Sequence, residues 1–136
     1  MFPAMDANES LERLLQVSED IRAAVVFERG TLRVLGSRAA RNAARAATML
    51  DEDARELAEL GDAMLAYADT LRDGPAVRQL EALTPDGGVY VVRNGERAVV
   101  AIAAPGSLVG LVQHDLRSLL SSFASPRRKA KASAAT

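Results

Sequence analysis

At 136 residues the chain suits a single domain that buries roughly two-thirds of its unfolded surface, and with 49% apolar but only 4% aromatic residues its core must come from Ala, Val and Leu. The absence of cysteine excludes disulfides and thiol chemistry, and with no charged-then-apolar leader and no apolar run near ~18 residues a soluble, cytoplasmic protein is expected. The net charge of −1 hides an asymmetry, because Arg127, Arg128, Lys129 and Lys131 follow Ser125 without an acid and those four charges leave −5 on the rest.

Asp6 followed by Glu9 resembles a capping box, and Leu11, Leu14 and Leu15 mark one face of a first helix at about 7–19. A first strand is expected at Ala23 to Glu28 and a second at Thr31 to Gly36. They are joined by Arg29-Gly30, where glycine would supply the positive φ of a tight hairpin. From Ser37 to Thr48 the composition narrows to small residues, Arg and Asn, which predicts a mobile connection or a helix extension.

The second helix is the clearest element. Asp51 can cap it, Glu52 and Asp53 suit its positive end, and Leu50, Leu57, Leu60, Met64, Leu65, Ala68 and Leu71 recur at helical spacing. Asp73-Gly74-Pro75 stops it, with Gly74 as a left-handed cap. A third strand follows at Ala76 to Leu83, and the turn Thr84 to Gly88 leads to a fourth around Val89 to Val92. Asn94-Gly95, a strong hairpin signal, connects this to a fifth at Ala98 to Ala103. A third helix then carries Leu108, Val112, Leu116, Leu119, Leu120 and Phe123 on one face. Ser125-Pro126 ends the domain, 1–125, and a disordered basic tail, 126–136, is expected beyond it.

Ala24 to Phe27, Val89 to Val92 and Ala98 to Ala103 are apolar on both faces, so these strands must be covered above and below. Leu32 to Leu35 and Val77 to Glu81 are interrupted by polar side chains, as edge strands are. The pattern describes an α/β sandwich with three central and two edge strands.

The order helix, two strands, helix, three strands, helix resembles the roadblock/dynein light chain family, whose bacterial members accompany Ras-like GTPases. The resemblance covers about residues 8–124 and is carried by Ala23-Ala24-Val25-Val26-Phe27 with its hairpin, the run Ala98 to Ala103, Pro105, and Gly110-Leu111-Val112-Gln113-His114-Asp115-Leu116. It implies a five-stranded, mainly antiparallel sheet in the order 2-1-5-4-3, with helix two on one face and helices one and three on the other. It further implies a homodimer in which the third strand pairs with its mate and the two copies of helix two lie side by side. The interface positions would be Leu57, Leu60, Gly61, Met64, Leu65 and Ala68 on the helix and Val77, Gln79 and Glu81 on the strand. That strand carries neither Pro nor Lys, which is weak protection for a free edge.

Catalytic constellations are not evident. The single histidine, His114, lies off the apolar stripe of its helix and is read as solvated, and without cysteine one His does not make a zinc site. The carboxylates Asp51, Glu52, Asp53, Glu56, Glu59, Asp62 and Asp69 are read as a solubilising face, with docking of a basic partner as the functional alternative. Neither phosphate-binding glycine motif occurs, so no nucleotide cofactor is expected. Arg38, Arg41 and Arg45 together with the tail are basic but lack interleaved aromatics, which argues against nucleic acid as a partner. Arg29 at a hairpin tip is read as exposed, with an arginine finger as the minor reading.

The expected function is a non-catalytic homodimeric adaptor or regulator of a small Ras-like GTPase. The alternatives are a purely structural scaffold or a small-molecule sensor, the latter with Tyr90, Gln79 and Ser107 as the available polar anchors.

Overall fold

The computed structural model describes residues 6–42, 45–71 and 73–135, the side chains of 41–46 and of 123 onward excepted. Helix α1 (Ala7–Val17) starts where the sequence places it. Asp6 Oδ1 accepts from the amides of Asn8 (2.7 Å) and Glu9 (3.1 Å), and the helix closes with the Ser18 amide on the Leu14 carbonyl. The chain then forms β1 (Ile21–Glu28), β2 (Arg33–Asn42), β3 (Arg45–Ala47), α2 (Asp51–Thr70), β4 (Gln79–Thr84), β5 (Gly87–Asn94), β6 (Arg97–Ala103) and α3 (Val109–Ala135).

All strand pairs are antiparallel, in the order β3-β2-β1-β6-β5-β4. The five expected strands correspond to β1, β2, β4, β5 and β6, and their order is 2-1-5-4-3 as anticipated. The short strand β3 is an addition at one edge. It replaces the mobile or helical connection predicted for 37–48, because β2 continues past Gly36 and the chain folds back to pair Ala39 with Ala47. Small residues there serve a close crossing: a Cβ on Gly36 would lie 2.8 Å from Ala7 Cβ. Asn8 Oδ1 accepts from the Ser37 amide (3.0 Å) and from Arg38 Nη1 (3.1 Å), so α1 is fastened directly across β2. Lack of large apolar residues in this stretch therefore reflects packing under a helix.

The central strands are covered on both faces. Ala24, Val26, Tyr90, Val92, Val99 and Ala101 pack with Leu11 and Leu14 of α1 and with Val112, Leu116, Leu119 and Leu120 of α3. Val25, Phe27, Val91, Ala98 and Val100 face Ala54, Leu57, Ala58 and Leu65 of α2. Period-two alternation divides each strand between the two cores.

Two local expectations are corrected. In the β1–β2 turn the positive φ falls on Leu32 (53°) instead of Gly30, and the turn is held by Arg29 N–H to the Glu96 carbonyl (2.8 Å). Helix α2 takes Leu50 as its N-cap without a side-chain bond, so Asp51 is its first residue; at the other end Leu71 is the C-cap, and Gly74 (φ 117°) lies three residues beyond. Helix α3 is continuous through Ser125-Pro126 to Ala135. The Asn94-Gly95 signal is met by a two-residue loop whose first position, Gly95, has φ 67°.

Candidate interaction surface

Helix α2 carries two apolar stripes side by side. Ala54, Leu57, Ala58, Gly61 and Leu65 are buried against the sheet. Gly61 is a point of close approach, where a Cβ would stand 2.9 Å from Val100 Cβ and 3.3 Å from Phe27 Cζ. The second stripe, Leu60, Met64, Tyr67 and Leu71, follows the spacing i, i+4, i+7, i+11 and looks outward: Leu60 is 44% exposed, and Tyr67 and Leu71 are 67% exposed. Met64 and Ala68 are half-buried between the two.

Strand β4 is one edge of the sheet, and among the described residues it pairs only with β5. From Gln79 to Thr84 it is exposed except at Leu80, which packs toward α2. Leu83, on the same face as Gln79 and Glu81, is a 57% exposed apolar side chain at its end. Met64 of this stripe and Leu80 of the open edge pack against the same core cluster, so both lie on one side of the sheet, where a partner could meet a strand edge and a helix together.

Of the nine interface positions expected from sequence, Leu57, Gly61 and Leu65 are spent on the subunit core, whereas Leu60, Met64 and Ala68 border the open surface. Val77 donates its amide to Asp69 Oδ1 (2.9 Å), Gln79 Oε1 accepts from Arg117 Nη1 (2.7 Å), and Glu81 Oε1 accepts from Gln113 Nε2 (3.1 Å). The two polar β4 side chains thus face α3, so the strand can offer its backbone edge but not these groups to a neighbour on the α2 side. Sequence reasoning missed Tyr67 as a surface anchor. Its signal was the 60–64–67–71 spacing, which overlaps the core stripe by one residue per turn and is hidden when the two are merged.

The acidic residues also divide. Asp51, Glu52, Asp53, Glu56 and Glu59 are exposed, but Asp62 accepts from Arg29 Nε (2.6 Å) and Asp69 accepts from Arg93 Nη2 (2.8 Å). Arg29 is accordingly engaged with α2 and largely covered, which corrects its reading as an exposed hairpin tip. The Arg93 hydrogen bond, followed by the Val77 amide, holds the Asp69 carboxyl below its ordinary 3.8.

Of the expected sensor anchors, the Tyr90 hydroxyl is 3.0 Å from Ser107 Oγ, and Gln79 is held by Arg117. Gln113, unforeseen as a core residue, is buried and reaches the Leu80 carbonyl (3.2 Å), tying α3 to β4. His114 is exposed beside Asp115. Among the described residues no group of three or more His, Asp or Glu is placed to hold a metal, and no helix is long and apolar enough to cross a membrane.

This architecture, a sheet ordered 2-1-5-4-3 between one helix and two, is the roadblock/LC7 fold. The chain is similar over 86% of its length to a Roadblock/LC7 domain from Streptomyces avermitilis, of which it covers 92%, with 16% identity and a TM-score of 0.68. It is similar also to MglB of Myxococcus xanthus (14% identity, 90% of this chain and 95% of that one, TM-score 0.70) and to the gliding protein MglB of Thermus thermophilus (24%, 88% and 86%, 0.64). No family model matches the chain, and no curated protein matches its sequence significantly.

Proposed function

We propose that the protein is a non-catalytic, cytoplasmic, homodimeric regulator of a small Ras-like GTPase. The observation that carries this reading is the exposed stripe Leu60, Met64, Tyr67 and Leu71 beside the open β4 edge. A monomer gains nothing from leaving these side chains in water, and a two-fold copy would cover them while pairing edge to edge. The GTPase is suggested by the resemblance of the sequence to a family whose bacterial members accompany such proteins and by the similarity of the fold to MglB.

The mechanism rests on binding energy. Two copies of α2 side by side bring two sets of exposed carboxylates, Asp51 to Asp53, Glu56 and Glu59, onto one composite surface complementary to a basic partner. A regulator of this kind shifts its partner only by the difference in affinity for the two nucleotide states. Titration calorimetry against Ras-like GTPases of the same genome, loaded with GDP or with a non-hydrolysable GTP analogue, tests this. At least tenfold tighter binding to one state, about 1.4 kcal/mol, is expected. Equal affinity for both states, or no binding to any of them, would overturn the regulatory reading.

A further inference from the structure

Strand β4 begins at Gln79 opposite Val92, so the last residues of β5, Arg93 and Asn94, run on beyond its end. The segment Pro75 to Arg78 passes this gap outside the sheet, tied to it by the Arg93 amide on the Arg78 carbonyl (2.7 Å). What remains is a cleft of about 680 Å³ between that segment, the Gly95 hairpin and the flank of α3, bounded by Val92 and Leu120 on its apolar side.

Three arginines line it. Arg117 reaches Gln79 Oε1 with one nitrogen, Arg78 has no side-chain partner among the described residues, and Arg93 forms part of the wall. The Arg93 side chain is only 12% exposed and bonds Asp69 through Nη2, while its buried Nε lacks a partner. One acid, Glu96, also lines the cleft, and its carboxylate lies beside Gly30 of the neighbouring hairpin. A chain with net charge −1 thus places three guanidinium groups, one of them paired with Asp69, and a single carboxylate around one concavity. Planar five-donor groups lining a concave site suit the tetrahedral oxygens of a phosphoryl group, and the volume is that of a small-molecule pocket.

We propose that this cleft, framed by Arg78, Arg93 and Arg117, is a binding site for a small phosphate-bearing ligand. The site lies off the exposed α2 stripe, so its occupancy does not depend on the GTPase reading. It does border the α2–β4 connection through Asp69, and a ligand drawing on Arg93 would loosen the Arg93–Asp69 pair that holds this connection.

Pyrophosphate is the probe, titrated by calorimetry into the full chain at low ionic strength with sodium chloride held constant. Saturable binding of one equivalent per chain is expected. Arg78→Ala and Arg117→Ala should each weaken it severalfold and the double variant at least tenfold, while Glu96→Gln should tighten it and Arg22→Ala, an exposed arginine remote from the cleft, should leave it unchanged. Circular dichroism melting of each variant establishes that the fold is retained. Absence of saturable binding, binding undiminished in the folded double variant, or a loss as large in Arg22→Ala would overturn the site. Citrate binding as tightly as pyrophosphate would overturn the phosphate specificity.

Discussion

Replacing Tyr67 by Asp should dissociate the proposed dimer without unfolding the subunit. Complete burial of a large apolar side chain is worth about 1.5–3 kcal/mol. With 44%, 67% and 67% of Leu60, Tyr67 and Leu71 still open, covering the three gains about 4 kcal/mol per subunit and about 8 for a pair. That lies within the ~4–15 kcal/mol that association costs, so the stripe alone would give a weak dimer, and in the proposed arrangement pairing of the two β4 edges would supply the remainder. Tyr67→Asp removes about 1.5 kcal/mol from each copy and places a carboxylate in a surface that would be desolvated, for a loss of at least ~3 kcal/mol, on the order of a hundredfold in Kd. Because the side chain is largely exposed within the subunit, thermal stability measured under dilute conditions should hardly change. Sedimentation over a range from about 1 to 100 μM, a span that brackets a marginal dimer, reads the outcome. A variant that associates like the natural chain, or a natural chain that is monomeric throughout, would refute the reasoning.

The remaining predictions concern the fold that presents this surface. Gly61→Ala gains ~1 kcal/mol of helix propensity but drives a methyl group against the fully buried Val100 and Phe27, an overpacking cost of ~1–3 kcal/mol. The melting temperature should therefore fall, and a value at or above that of the natural chain would show that the helix can lift off the sheet. Gly110→Ala, which meets nothing within 4 Å, should instead raise it slightly, and a fall there would count against the packing described. Since the Asp69 carboxyl sits below its ordinary 3.8 in the folded protein, the stability it contributes is complete above that value and is lost as the pH falls through the folded pKa. Asp69→Asn should flatten the acid limb of a denaturation-against-pH profile below about pH 4, and an unchanged limb would show that the Arg93 pairing is not formed in solution. Truncation after Ser125 should leave the melting temperature unchanged, because residues 126–136 contain no apolar side chain larger than Ala apart from Pro126; a fall of several degrees would make the segment part of the domain.

The layers of this fold were legible because each central strand is apolar on both faces and each helix has a clear stripe. Val25 and Phe27 turn to one helix while Ala24 and Val26 turn to two, a division that period-two alternation predicts without a structure. Ser37 to Ala47 was not legible. A strand made of Ala, Ser, Gly and Arg has low intrinsic preference, and it forms because Asn8 and Ala7 of a helix distant in sequence require a thin, hydrogen-bonding surface beneath them. The ion pairs Arg29–Asp62 and Arg93–Asp69 were hidden for a related reason: their partners are 33 and 24 residues apart, and a carboxylate opposite an apolar stripe ordinarily faces water.

Those two ion pairs bear on the interaction surface itself. Asp62 and Asp69 sit on α2 either side of Met64 and Tyr67, one joined to the β1–β2 turn and the other to the end of β5, and Gly61 seats the helix hard against Val100 between the two strands. Moving α2 relative to the sheet would have to break both pairs and open the Gly61 contact together. The exposed stripe is thus carried on a helix already fixed in place, so association need order only the side chains of the stripe and not the element that bears it. Binding energy from four apolar side chains is small, and it suffices only if little of it is consumed in ordering the backbone. An unpartnered stripe on a frayed helix would be an aggregation hazard; on a helix fastened at three points it is a surface suited to one defined neighbour.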